Sequence, residues 1–133
     1  MMKIQHLFVA LTLLTLSGTA CGSYTSNAPP KPTFTQEEQL GLEVYSRHCA
    51  ACHLLTPDDV KVGPSLYGLA DRASSRVEGQ DARTYLLTSV LDPSAYLVEG
   101  FEDVMTKGLA KNLASEELDA VIVYLQTLHE EGN

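Results

Sequence analysis

Two cysteines three positions apart, with a histidine directly after the second, dominate the interpretation of this sequence. They lie in Cys49-Ala50-Ala51-Cys52-His53, which has the spacing of c-type haem attachment. Each thiol can add across one haem vinyl group to form a thioether, and the adjacent imidazole can bind the iron as proximal ligand. We therefore predict one covalent haem c, attached at Cys49 and Cys52 and ligated by His53.

Three other kinds of site also use a Cys-x-x-Cys pair. A structural zinc site takes four ligands, but the remaining histidines outside the N-terminal segment are only His48 and His129. A thioredoxin-like redox pair belongs to an α/β context, whereas the periodicity of this chain is helical. A disulfide between the two cysteines suits an exported protein but leaves His53 without a role. The haem hypothesis accounts for all three residues.

The N-terminus has the features of an export signal, so we predict a signal peptide over residues 1–20. Lys3 precedes a nearly continuous apolar run over 7–16, which is well short of the roughly 20 residues of a transmembrane helix. Small residues then lead to Cys21, which is either the lipidated first residue of a bacterial lipoprotein or an exposed thiol after ordinary cleavage. Lipidation gives Cys21 a function. Both alternatives place the protein on the periplasmic side or outer face of a bacterial membrane.

The composition changes after the predicted signal and indicates where the folded domain begins. Residues 21–34 are rich in Ser, Thr, Asn and Pro, cannot build a core, and are predicted to form a flexible linker. Residues 35–133 suffice for one small domain. The formal charge of the chain is −8, which argues against a nucleic-acid partner and favours partners with a basic docking surface.

Apolar periodicity predicts an all-α domain. Thr35-Gln36-Glu37-Glu38 has the capping-box pattern that begins a helix. The helix that follows runs directly into Cys49 and so positions the attachment site. Its apolar face includes Gly41, where a glycine costs about 1 kcal/mol against alanine. That cost is understandable if another helix crosses closely there.

Two further helices are predicted, and no stretch alternates in the manner of a strand. One covers 81–91 and is stopped by Pro93. Another begins with Ser115 as its cap. The segment 95–114 between them has no sustained period and is predicted to be mostly loop. The last helix carries a regular apolar stripe, formed by Leu118, Val121, Ile122, Leu125 and Leu128.

A count of methionines indicates the second axial ligand. Met1 and Met2 leave with the signal peptide, so Met105 is the remaining thioether. Although a lone methionine commonly fills a core, Met105 lies in the predicted loop before the last helix, where the chain can cover the distal side of a haem. His48 is too close in sequence to His53 to reach that side, and His129 lies on the far end of the last helix.

The chain closely resembles the class I cytochrome c family across residues 35–129. In that family a glycine and an aromatic residue of the first helix cross an aromatic residue of the last, and Gly41, Tyr45 and Tyr124 match. The resemblance implies the small all-α cytochrome c fold. Its N- and C-terminal helices cross, and shorter helices and loops wrap around one covalent haem.

The resemblance also implies roles for residues outside the attachment motif. In Gly63-Pro64-Ser65-Leu66-Tyr67-Gly68-Leu69, the carbonyl of Pro64 corresponds to one that accepts a hydrogen bond from the proximal histidine and orients it. Tyr67 is assigned to haem binding, Arg72 to a haem propionate, and Met105 to the distal ligand position. The stretch from Tyr85 to Phe101 is similar to membrane-attached cytochromes and to the cytochrome domains fused to haem–copper oxidases.

These resemblances imply a single-electron carrier with His/Met ligation rather than an enzyme. Its expected donor and acceptor are redox proteins, such as a quinol-oxidising complex or a terminal oxidase of a respiratory or photosynthetic membrane, and the lipid bilayer is contacted through the anchor. One alternative is a haem-based gas-ligand binder or sensor in which Met105 is displaceable. Another is a fixed subunit that passes electrons inside one stable complex.

Overall fold

The described part of this computed structural model comprises residues 33–57 and 59–130, and it is helical without any strand. The α-helices are α1 Gln36–His48, α2 Leu69–Arg72, α3 Ala82–Leu91 and α4 Ser115–Leu125, with 3-10 turns at Ala73–Ser75 and Leu109–Asn112. The prediction of a small all-α fold is thereby confirmed. The predicted signal peptide, Cys21 and most of the linker lie outside the described residues. None of the helices within 33–57 and 59–130 has the length and apolarity to cross a membrane.

Helix α1 begins at the predicted capping box and ends at the attachment motif. The Thr35 hydroxyl accepts a hydrogen bond from the Glu38 amide at 3.2 Å, and the Glu38 carboxylate accepts one from the Thr35 amide at 2.7 Å. Both backbone donors at the helix start are therefore satisfied. At the other end the Cys49 amide donates to the Tyr45 carbonyl at 2.8 Å. Cys49 thus follows the last turn of α1 directly.

Helices α1 and α4 cross with almost no space between them at Gly41. A Cβ atom on Gly41 would lie 2.1 Å from the Ala120 carbonyl oxygen and 2.5 Å from Tyr124 Cβ. Beside this contact the rings of Tyr45 and Tyr124 pack with centroids 5.7 Å apart. The predicted close crossing at Gly41 is confirmed, and only a residue without a side chain permits it.

The start of α4 differs from the sequence prediction by one residue. Ser115 is the first helical residue, and the cap position belongs to Ala114, which has no side chain that could accept a hydrogen bond. The Glu117 carboxylate instead accepts from the Ala114 amide at 3.0 Å. The prediction that Ser115 caps the helix was therefore wrong, because Glu117 satisfies the backbone from inside the first turn. Leu128 lies beyond the helix end but is buried, with 1% of its surface exposed.

The middle of the chain contains one predicted helix and several short elements that were not predicted. Asp81 caps α3, and its carboxylate accepts from the Thr84 amide at 2.7 Å. The segment 95–114, predicted to be mostly loop, contains only the 3-10 turn at Leu109–Asn112. Helix α2 and the 3-10 turn after it are too short to produce an apolar period. Helix α2 packs against the 3-10 turn that follows it, and this turn packs against α3.

Candidate functional site

A large cavity lies where the end of α1, the segment 62–66, α3 and the segment 97–106 meet. The centres of water-sized molecules can occupy about 170 Å³ of this cavity, and the empty space reaches about 1240 Å³ only when the solvent at its open side is included. Most of the lining is apolar, contributed by residues such as Leu66, Leu69, Leu86, Val90, Phe101 and Leu125.

The three residues of the attachment motif all border this cavity. A tight turn follows Cys49, in which the amides of Cys52 and His53 both donate to the Cys49 carbonyl, at 3.0 and 2.9 Å. The chain then returns, and the Gly63 amide donates to the Cys52 carbonyl at 2.9 Å. Two thiols and one imidazole consequently share one wall of the cavity.

The His53 imidazole is held by contacts on both its ring and its backbone. Its Nδ1 lies 2.9 Å from the Pro64 carbonyl oxygen, so Nδ1–H donates this hydrogen bond when that nitrogen carries the proton. The other ring nitrogen, Nε2, is then a free lone pair for a metal ion. Gly63 faces the ring so closely that a Cβ there would lie 2.4 Å from His53 Cε1. The Tyr45 hydroxyl also donates to the His53 carbonyl at 2.8 Å.

The two thiols of the attachment motif are both partly buried. Both Cys49 and Cys52 are free. Burial raises the pKa of the Cys49 thiol to about 11, and the proximity of Cys52 adds to this shift. Redox-active cysteines have a pKa below the ordinary value, and the pKa of Cys49 is shifted in the opposite direction. Within residues 33–57 and 59–130 no three His, Cys, Asp or Glu side chains converge on a metal position, and the zinc hypothesis gains no support.

Met105 borders the same cavity as His53. It is partly buried in the irregular segment before the 3-10 turn at Leu109–Asn112. Of the two histidines considered as rivals, His48 also borders the cavity, although its side chain is exposed at the end of α1. His129 does not border it and is paired with Asp71 at the protein surface.

The two remaining predicted residues differ in their placement. Arg72 borders the cavity, and its guanidinium donates to the carbonyl oxygens of Ser65 and Tyr67. Tyr67 does not border the cavity, because its hydroxyl donates to the Glu130 carbonyl near the end of the described chain. Tyr67 is thus the one predicted site residue of the cavity that lies outside it. Six predicted residues border the cavity, namely Cys49, Cys52, His53, Pro64, Arg72 and Met105.

Two residues of the site were not assigned from the sequence. Gly63 provides the space for the His53 ring, and Arg76 borders the cavity four residues after Arg72. No helical period could have identified Arg76 from the sequence, because it follows the 3-10 turn at Ala73–Ser75 and lies outside every helix of the described residues. Paired thiols, an oriented imidazole, a thioether and an apolar lining together fit the donor set of haem c.

Comparison with known proteins agrees with this donor set. The sequence model of the family described as "Cytochrome c" matches residues 38–129, which include the whole cavity wall. The protein "Cytochrome c 2.1" of Caenorhabditis briggsae is 32% identical over 71 residues, which represent 44% of this chain and 63% of that relative. The match therefore spans less than two thirds of the relative's length.

Proposed function

This chain belongs to the cytochrome c family, and on that premise we propose that it is a single-electron carrier holding one covalent haem c between His53 and Met105. The observation that carries the proposal is that both thiols of the attachment motif, His53 and Met105 border one apolar cavity. Cys49 and Cys52 would form the thioethers. When bound, the haem supplies an iron that accepts and releases one electron.

The chain's own residues would orient the ligands and exclude water. The Pro64 carbonyl at 2.9 Å from Nδ1 and the close approach of Gly63 hold the His53 ring in one orientation. A hydrogen bond of this kind also raises the basicity of a ligating histidine. A thioether opposite a histidine raises the reduction potential, and the apolar lining limits solvent access. This activity requires no general base or nucleophile, so we propose a carrier rather than an enzyme.

Absorption spectra of the purified, haem-loaded protein test the ligation. We expect the oxidised protein to have the weak long-wavelength band of Met-ligated ferric haem, and the reduced protein to resist carbon monoxide. Met105→Ala should remove the band, lower the potential and open the iron to carbon monoxide, because the sixth ligand is lost. The control is Val60→Ala, which alters an exposed apolar side chain that does not border the cavity and should leave the band unchanged.

Other spectral outcomes would favour different assignments. If the oxidised wild type lacks the band, or Met105→Ala retains it, the His/Met assignment is wrong, and His48→Ala then tests the histidine that also borders the cavity. If the reduced wild type binds carbon monoxide readily, the protein is better described as a gas-ligand binder or sensor. A spectrum without any haem band would refute the electron-carrier proposal itself.

We further propose that the protein is exported, cleaved after residue 20 and anchored through a lipid on Cys21, with residues 21–34 as a tether. The apolar run 7–16 and the small residues before Cys21 support this. The proposed partners are membrane redox complexes with basic docking surfaces, consistent with the charge of −8. Cys21→Ala should move the protein from membrane to soluble fractions, and unchanged partition would contradict the anchor.

A further inference from the structure

Two arginines lie in the same wall of the otherwise apolar cavity. Arg72 ends α2 and Arg76 follows the 3-10 turn at Ala73–Ser75, and both side chains border the cavity. Burial lowers the pKa of Arg72, and the positive charge of Arg76 lowers it further. The nearby carboxylates Glu130 and Asp71 act on this pKa in the opposite direction.

The hydrogen-bond donors of the two arginines are used differently. Both terminal nitrogens of Arg72 donate to backbone carbonyls, one to Ser65 at 2.7 Å and the other to Tyr67. These bonds fasten the loop that immediately follows Pro64. Arg76, in contrast, has a buried Nε without any hydrogen-bond partner among the described residues. Arg76 also makes no ion pair within residues 33–57 and 59–130, whereas Arg47 and Arg83 each pair with a carboxylate.

A partly buried guanidinium without an acceptor is unfavourable, because its desolvation is not compensated. The cost of this desolvation is compensated if an anion enters the cavity. Guanidinium groups bind carboxylates through paired, charge-assisted hydrogen bonds. A haem carries two propionate carboxylates, which supply this chemistry together with negative charge opposite the two arginines.

We propose that Arg76 binds a haem propionate, whereas Arg72 acts mainly as a positioning residue that holds the loop after Pro64. The inference rests on the proposed function, in which this cavity binds haem c. It reassigns the propionate contact from the arginine whose terminal nitrogens already donate to carbonyl oxygens to the one whose buried Nε has no hydrogen-bond partner among the described residues. A cation beside the haem favours the ferrous form, because that form carries one positive charge fewer. Arg76 therefore contributes to a high reduction potential.

Redox titration of the haem-loaded protein tests this assignment. Arg76→Gln removes the charge and should lower the equilibrium constant for reduction by about threefold to tenfold, where tenfold corresponds to 59 mV for one electron. Arg76→Lys keeps the charge and should retain most of the wild-type value. The matched control is Arg83→Gln, which removes an exposed arginine paired with Asp119 away from the cavity and should change the constant by less than twofold.

Arg72→Gln separates the two roles. Because its bonds are to backbone carbonyls, its loss should reduce the resistance of the fold to guanidinium chloride more than Arg76→Gln does. The assignment is overturned if Arg76→Gln and Arg83→Gln have equal effects on the potential, or if Arg72→Gln changes the potential more than Arg76→Gln. Haem content, measured from the alkaline pyridine spectrum, is determined first. Absent haem refutes the proposed function, whereas bound haem with an unaltered potential refutes only the role of Arg76.

A measurement on the wild type avoids any variant that does not fold. In the reduced, diamagnetic holoprotein, the guanidinium N–H groups of Arg76 should exchange with solvent at least tenfold more slowly than those of exposed Arg83, because they are bound to a propionate within the cavity. Nuclear magnetic resonance of ¹⁵N-labelled protein measures both rates. Equal exchange rates would overturn the proposal.

Discussion

Replacement of Gly41 by alanine tests the helix crossing on which the whole site is built. The new Cβ would lie 2.1 Å from the Ala120 carbonyl oxygen, whereas ordinary contact begins at 3.4 Å. The helices must therefore separate by about 1.3 Å (3.4 − 2.1) at this point. Neither neighbour can yield alone, because one is a backbone atom of α4 and the other is Tyr124 Cβ, which is fixed to the same backbone.

The expected effect follows from two opposing contributions. A forced expansion of a packed core costs about 3 kcal/mol at the upper end of the usual range, and the rigidity of both neighbours places Gly41 there. Alanine recovers about 1 kcal/mol because it is the better helix former. We therefore expect Gly41→Ala to lower the free energy of unfolding by about 2 kcal/mol, with the loss located between α1 and α4.

Guanidinium chloride unfolding of the haem-loaded protein, followed by circular dichroism in one redox state, measures this difference. Ser46→Ala is the matched control, because it makes a helix-favouring change on the exposed face of α1. Its effect should stay within about 0.5 kcal/mol. If Gly41→Ala is as stable as the wild type, or gains the 1 kcal/mol expected from helix propensity alone, the helices do not cross in contact at Gly41.

Two other changes test the surroundings of the site. Gly63→Ala places a Cβ 2.4 Å from His53 Cε1, so the imidazole ring should move away from the Pro64 carbonyl. This shift should lower the free energy of unfolding by about 1–3 kcal/mol and alter the haem spectrum. An unchanged spectrum would contradict the close packing of Gly63 against His53. Asp71→Asn tests a surface contact, since hydrogen bonds from His129 and the Glu130 amide lower the pKa of Asp71. The stabilising effect is complete above the unfolded pKa of about 3.9 and is lost as the pH falls through the lower folded value. Asp71→Asn should therefore have a lower free energy of unfolding than the wild type at pH 6, and this difference should disappear in acid. A difference that is the same at every pH would exclude the ionised Asp71 carboxylate as its cause.

Local features of the chain were predictable because their physical causes are local. The capping box depends on two side chains three residues apart, Thr35 and Glu38, and both bonds are present. The spacing of Cys49, Cys52 and His53 predicts a haem attachment site without any knowledge of the remaining fold. Gly41 was informative for a similar reason. A glycine inside a helix is unfavourable unless a neighbouring element occupies the space that a side chain would take.

The composition of the cavity wall was decided by tertiary structure. Tyr67 was assigned to the haem from the sequence pattern, yet its hydroxyl meets the Glu130 carbonyl, 63 residues further along the chain. Arg76 was not assigned, and it becomes significant because its buried Nε lacks a partner. Helix α2 was missed because four residues are too few for a helical period to be seen.

The sequence by itself determined the spacing of Cys49, Cys52 and His53, the three longer helices and the need for close contact at Gly41. These properties depend on residues that lie within about one helical turn of one another, so the spacing and the periodicity of the sequence are enough to predict them. Only the tertiary structure decided which distant side chains share a cavity with His53. That outcome depends on how the segments 62–66 and 97–106 pack around the cavity, because the packing of elements far apart in the chain leaves no local pattern.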